Sequence, residues 1–263
     1  MFKSKTSDKI TFENSTLVVF FSGNGNSTSF ALSLLKSNFD FKNIGYLYCE
    51  SLGNSVSYSP DEKSLEFNGS IYHNSSKNLF LLDLTGGVKS RNLAEFSEDF
   101  LKFVKENKFG KIIIVGVSDK VNVSDADLIS KKANSYYLTN DSELKINCNM
   151  KEIKEAFKAK EEDRKGKKYY EMNLIDSCDD IRRVVQKLIL EKIKFLFIFS
   201  FGDDMFDPFC ALELYNKLCL LTGLKTKDEE VSRIELDPIK ILENFESKGI
   251  KIEKYWKVLF KLD

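Results

Sequence analysis

The stretch Ser22-Gly23-Asn24-Gly25-Asn26-Ser27-Thr28 is the first part of the chain whose residue types could do chemistry. Gly and Asn accept positive φ, and hydroxyls beside the first N–H groups of a helix can hold a phosphate. The spacing limits which phosphate. A dinucleotide turn of the form G-x-G-x-x-G would need a third glycine where Thr28 stands. A triphosphate loop would end in G-K-[ST], and this one does not. The plain alternative is a tight strand-to-helix corner, with Gly23 and Gly25 as structural turn residues. A second grouping, Asp203-Asp204-Met205-Phe206-Asp207, has the D-D-x-x-D spacing that can hold magnesium between carboxylates. Such sites carry a second acidic cluster, and none is clear here. Asp207 before Pro208 reads better as a helix cap with proline at the first helical position.

The chain has one histidine, His73, which removes metal sites that need several imidazoles. A Ser-His-Asp or Cys-His device would have to use His73 alone, and no G-x-S-x-G elbow accompanies it. Its place in Ile71-Tyr72-His73-Asn74 reads as an ordinary surface histidine in a hairpin. The cysteines Cys49, Cys148, Cys178, Cys210 and Cys219 are scattered without a C-x-x-C pair, which suits reduced thiols. No metal, cofactor or catalytic residue is expected. The Ser22 to Thr28 loop keeps one rival open, since it resembles the phosphate loop of flavodoxins and would then bind FMN.

With 40 basic and 40 acidic residues, nothing in the charge favours nucleic acid or an anionic membrane. No segment reaches the roughly 18 to 20 apolar residues that span a bilayer. The first apolar run, Leu17 to Phe21, is too short for a signal-peptide core. The expected location is the cytoplasm, with the nucleus as a second compartment. An apolar fraction of 42% supports a large core, and the 22 phenylalanines are expected to fill it.

These groups must be positioned by regular elements. Leu17 to Phe21 and Lys111 to Val117 are continuous apolar runs of strand length, so they read as buried strands. Phe30, Ala31, Leu34 and Leu35 recur at helical spacing, capped by Asn26 or Ser27, and Ile44 to Tyr48 follows as a strand. Strand, helix and strand suggest a parallel βαβ unit. A hairpin is expected over Leu65–Tyr72 and Leu79–Leu84, turning at Asn74 to Asn78. Helices are expected over Asn92–Asn107, ending near Gly110, from Asp179 to Glu191, from Asp207 to Gly223, and over Pro238–Lys248. Phe195 to Phe199 reads as a strand, with a continued helix as its competitor. Lys158 to Lys168 and Lys225 to Glu230 mix charges and read as solvated surface, the former as a loop. The expectation is one α/β domain over residues 1–263, three-layered, with a mixed, largely parallel sheet flanked by helices, Rossmann-like or phosphorylase-like.

Several segments, in order, resemble the proteasome assembly chaperone 2 family, which has archaeal relatives. They are the opening unit Val18 to Leu35, the strand Asn43-Ile44-Gly45-Tyr46-Leu47-Tyr48, the elements from Leu79 to Val117, Gly202-Asp203-Asp204 with Asp207 and its helix, and the closing Tyr255-Trp256-Lys257-Val258-Leu259-Phe260. The resemblance implies a noncatalytic chaperone. It would pair with proteasome assembly chaperone 1, and the heterodimer would sit on the α-ring of the proteasome core particle while it assembles. It implies no small-molecule substrate, and it makes Trp256, Leu259, Phe260, Leu262 and Asp263 candidate partner-binding residues. Two departures stand out. Ser177-Cys178-Asp179-Asp180 replaces a glycine run, and the terminal Lys261-Leu262-Asp263 has leucine where the family's tail often has tyrosine. A phosphorylase-like enzyme would share the fold, but no base or nucleophile constellation supports one.

Overall fold

The computed structural model describes residues 2–5, 10–23, 26–53, 56–59, 64–119, 135–142, 144, 146, 150–152, 158–160, 169–171, 179–202, 207–224, 243, 246–247, 249–253 and 256–257. In chain order the elements begin with β1 (Phe2–Ser4), β2 (Thr16–Phe21), α1 (Ser27–Asn38), β3 (Lys42–Leu47), β4 (Val56–Ser59), β5 (Ser64–Phe67), β6 (Ser70–Asn74) and β7 (Leu79–Leu84). Then come α2 (Leu93–Asn107), β8 (Lys111–Asp119), β9 (Ser135–Thr139), β10 (Lys151–Glu152), β11 (Lys158–Lys160), β12 (Tyr169–Glu171), α3 (Asp179–Leu190), β13 (Leu196–Gly202) and α4 (Pro208–Thr222).

Among the described residues the main sheet has nine strands in the order β1-β3-β6-β7-β2-β8-β13-β9-β10. Its centre, β7-β2-β8-β13, is parallel throughout. These are the strands whose sequences are apolar on both faces, as burial on both sides requires. Val18, Phe20, Ile113, Val115 and Ile198 face one core. Leu17, Val19, Ile112, Ile114 and Phe197 face the other. The pairs β1–β3, β3–β6, β6–β7 and β13–β9 are antiparallel and β9–β10 is parallel, so the sheet is mixed, and helices cover both faces in a three-layer α/β arrangement. Most of the described phenylalanines lie in these two cores.

The 44–48 strand does not sit beside β2 as a simple βαβ unit would place it. β3 runs in the same sense as β2, but the β6–β7 hairpin lies between them. The more apolar β7 and β8 take both edges of β2, while Lys42-Asn43-Ile44-Gly45-Tyr46-Leu47, with its exposed and half-buried positions, suits a flank. The hairpin itself turns where its Asn-rich cluster predicts. Asn74 Oδ1 accepts from the Lys77 N–H at 3.1 Å, and Asn78 takes φ 47°.

The helix ends follow the sequence in part. At α4, Asp207 Oδ1 accepts the Cys210 N–H at 3.0 Å, Pro208 opens the helix, and Gly223 closes it at φ 67°. At α2 the left-handed stop is Lys108, φ 50°, and not Gly110. Gly110 serves packing instead, since a Cβ there would lie 3.2 Å from the Asn14 backbone. At α1, Asn26 occupies the cap position in a left-handed conformation, φ 55°, and makes no side-chain cap bond. The Lys158–Lys160 end of the expected charged loop pairs antiparallel with Tyr169–Glu171, while 161–168 lie outside the described residues. So do most of the expected 238–248 helix and the 225–230 surface.

β1 is held by close backbone approach. A Cβ on Gly45 would stand 2.2 Å from the Lys3 carbonyl oxygen and 2.7 Å from the Phe2 ring. Gly45→Ala therefore forces this three-residue edge strand off β3. We expect faster amide exchange at residues 2–4 and a stability loss of about 1–3 kcal/mol in a denaturant melt. Unchanged exchange there would refute the close approach.

Candidate functional site

The chemistry-bearing residues of the sequence converge at the carboxyl ends of β2, β8 and β13, where open α/β sheets usually bind ligands. Two helices, α1 and α4, start there side by side. Ser27 Oγ donates to the Asp207 carbonyl at 3.1 Å and ties their first turns together. The Ser135 and Ser200 hydroxyls meet at 2.8 Å between β9 and β13. The corner is crowded. A Cβ on Gly23 would lie 3.0 Å from Val117 Cβ, and one on Gly202 would lie 2.9 Å from Val117 Cγ1. Both glycines therefore have a steric reason for their identity, independent of any ligand. Asn24, Gly25 and Asp203 to Phe206 fall outside the described residues. Asp207 is used on its own helix, as its cap.

The described cysteines are not poised as nucleophiles. Burial, then the nearby charges of Asp207 and Glu213, pushes the Cys210 thiol well above its ordinary range. Burial lifts Cys219 to about 12, and it raises Cys49, whose Sγ donates to Asp99 Oδ2 at 3.1 Å. A thiolate is the reactive form, so each is held in the inert one. Among the described residues no group of three or more His, Cys, Asp or Glu could hold a metal ion. One polar atom at the corner has no partner: the Thr28 hydroxyl, fully buried in the first turn of α1.

His73 departs from expectation. It is half-buried, and its ring stacks on Phe80 with centroids 4.2 Å apart and planes 8° off parallel. Its Nε2 is buried without a partner. His73 sits directly opposite Phe80 in the β6–β7 ladder, so its ring lies on an aromatic face and is only partly open to water. Burial holds its pKa below the ordinary value.

A polar cluster that sequence reasoning missed lies beside α1. Lys36 Nζ is 2.7 Å from Glu66 Oε1 on β5 and 4.6 Å from the centre of the Tyr72 ring. Burial alone would lower the Lys36 pKa, but Glu66, Glu253 and Asp83 together raise it. Asp83 is shifted upward by burial, against hydrogen bonds from the Thr85 N–H and hydroxyl. No local pattern joins residues 36, 66 and 83, so only the fold could reveal them.

The C-terminal segment forms a further layer over α1. Asn38 Nδ2 donates to the Lys251 carbonyl at 2.9 Å, and the Lys251 N–H donates to Asn38 Oδ1 at 2.8 Å. The asparagine side chain thus pairs with the tail as a strand backbone would. Beyond it Trp256 is buried, its ring 4.7 Å from Phe30. The indole packs on the chain's own core in this single chain. Leu259, Phe260, Leu262 and Asp263 lie outside the described residues.

No family model matches the sequence, and no curated protein does. The fold does have solved counterparts, and they define its class: a three-layer α/β fold found in proteasome-assembly chaperone homologues. PbaA from Pyrococcus furiosus, an archaeal homolog of proteasome-assembly chaperone, is 14% identical with TM-score 0.61, over 96% of this chain and 95% of that one. PbaB from the same organism, an archaeal proteasome activator, is 14% identical with TM-score 0.51, over 95% of each chain. A PAC2 family protein from Streptomyces avermitilis is 13% identical with TM-score 0.53, over 90% of this chain and 93% of that one. At these identities the likeness is one of fold.

Two measurements test the site's geometry. Asn38→Ala removes both bonds to Lys251, so the emission of Trp256, the only tryptophan, should shift to the red, with a stability loss of about 1–2 kcal/mol. An unshifted spectrum would show that the tail docks without this contact. His73 is neutral by preference in the folded state, so the unfolded chain binds the extra proton as pH falls. Its contribution to stability is present above the unfolded value, about 6.5, and is lost as pH drops from there toward the lowered folded value. His73→Phe should flatten the pH dependence of the melting temperature in that window, and an identical slope would contradict it.

Proposed function

We propose that this chain is a noncatalytic assembly chaperone that forms a heterodimer with proteasome assembly chaperone 1 and acts on the α-ring of the assembling proteasome core particle. The observation that carries the reading is the end-to-end fold likeness to PbaA. The ordered motifs from Val18 to Phe260 support it from the sequence side. The crowded corner at Gly23, Val117 and Gly202 and the inert described thiols suit a protein whose product is an interface. The proposed location is the cytoplasm and the nucleus, where its α-subunit clients would be met. Small molecules, nucleic acid and membranes have no part in the reading. Among the described residues no helix is long and apolar enough to cross a membrane.

One observation favours a second reading. The unpartnered Thr28 hydroxyl at the start of α1 would suit a phosphate oxygen, so a flavodoxin-like FMN protein using residues 22–28 is the alternative. One purification separates the two. Tagged protein from its own cells should carry the companion chaperone and proteasome α subunits, and it should be absent from mature proteasomes. A preparation that recovers neither rejects the chaperone, and a yellow one, or one that takes up added FMN, installs the alternative.

A further inference from the structure

The β4–β5 hairpin stands apart from the main sheet as its own two-stranded ladder. Val56 pairs with Phe67, Ser57 with Glu66, and Tyr58 with Leu65. Each strand alternates apolar and polar residues, so a surface hairpin would normally turn the apolar set inward. Here the polar set includes the tie to the body. Glu66 meets Lys36 with both side chains close to nine-tenths buried, while Val56 and Leu65 are 56% and 52% exposed. Phe67 is half-buried against the Tyr46 ring, 5.4 Å away. Tyr48, two residues on, is 53% exposed. The Leu47 N–H donates to the Gly69 carbonyl at 2.7 Å and so keeps this end of β3 beside the hairpin's base. Among the described residues the other large exposed apolar side chains, Leu190 and Leu220, sit singly on α3 and α4. Lone apolar residues are ordinary on a surface, and a gathered set marks an interaction site.

The charge beside this set selects its occupant. Lys5 Nζ donates to the Leu65 carbonyl at 3.1 Å and lies 5.8 Å from the centre of the Phe67 ring. Lys3 is exposed on the adjoining β1. Among the described residues neither ammonium meets a carboxylate. Two ammonium groups at one edge of an apolar set call for carboxylates opposite them. A different chain, with an apolar centre and carboxylates at its edge, would satisfy both features.

We propose that the surface formed by Val56 and Leu65 of the β4–β5 hairpin and by Tyr48 just past β3, with Lys3 and Lys5 at its edge, is where the companion chaperone of the heterodimer docks, through an apolar patch rimmed by acidic residues. This rests on the assembly-chaperone reading. The test co-expresses the full-length chain with the proteasome assembly chaperone 1 subunit of its own cells and measures their dissociation constant by sedimentation. The double variant Val56→Lys with Leu65→Lys should weaken the pair by about tenfold or more. Lys5→Glu should weaken it by about threefold to tenfold and reduce its salt dependence. Leu190→Lys and Leu220→Lys should leave it unchanged. Trp256 emission and the melting temperature of each variant confirm that it is folded. A heterodimer indifferent to the hairpin variants, or equally weakened by Leu190→Lys, overturns the docking site and leaves the function standing. A wild-type chain that neither binds the companion nor self-associates overturns both. A homodimer that the hairpin variants dissociate overturns the acidic partner in favour of a second copy.

Discussion

Burying a parallel ladder on both faces is the constraint on which the rest of this structure depends. β7, β2, β8 and β13 carry apolar side chains up and down, and no water-facing side is left for them. Each face needs its own helical cover, so α1 and α4 pack on one side and α2 and α3 on the other. Cover on one side creates a second demand. α1 and α4 are themselves apolar over most of their circumference, with Phe30, Leu32, Leu34 and Leu35 all buried on α1. A single layer cannot bury such helices, and the C-terminal segment with Ile252 and Trp256 supplies part of what lies over them.

This ordering explains which parts of the molecule were legible in the sequence. The central strands announce themselves because two-sided burial needs uninterrupted apolar runs, and Leu17–Phe21 and Lys111–Val117 are such runs. α4 is legible at both ends because Asp207-Pro208 and Gly223 act through local backbone geometry. What depends on long-range pairing is hidden. Nothing local to Ile44-Gly45-Tyr46 says that a hairpin from later in the chain will come between it and β2. Lys108 in a left-handed stop has no compositional sign, since lysine rarely takes that conformation, and nearby Gly110 draws the eye instead. The stacking of His73 on Phe80 likewise follows from the register of β6 against β7.

The candidate site divides along the same line. The Gly23 corner was found from its residue types, but its meaning came from Val117, a residue almost a hundred positions away that crowds the place of a side chain. Trp256 was picked out as a motif residue and turned out to pack on Phe30. The Lys36 cluster joins α1, β5, β7 and the tail, so four separate stretches had to meet before it existed. The 56–59 strand was not read from the sequence, and neither was the orientation of its ladder with 64–67, with Glu66 engaged and Leu65 exposed.

The Asn38 contact with Lys251 has a consequence in time as well as in space. The two residues are 213 positions apart, so a ribosome making roughly 5–20 residues per second reaches Lys251 about 10–40 s after Asn38. Over that interval α1 and the sheet beneath it can form, but the outer side of α1 around Phe30 lacks the segment that covers it. The nascent chain therefore carries an open apolar seam until the segment around Lys251 and Trp256 is made, and that seam closes well after the helix it covers has formed.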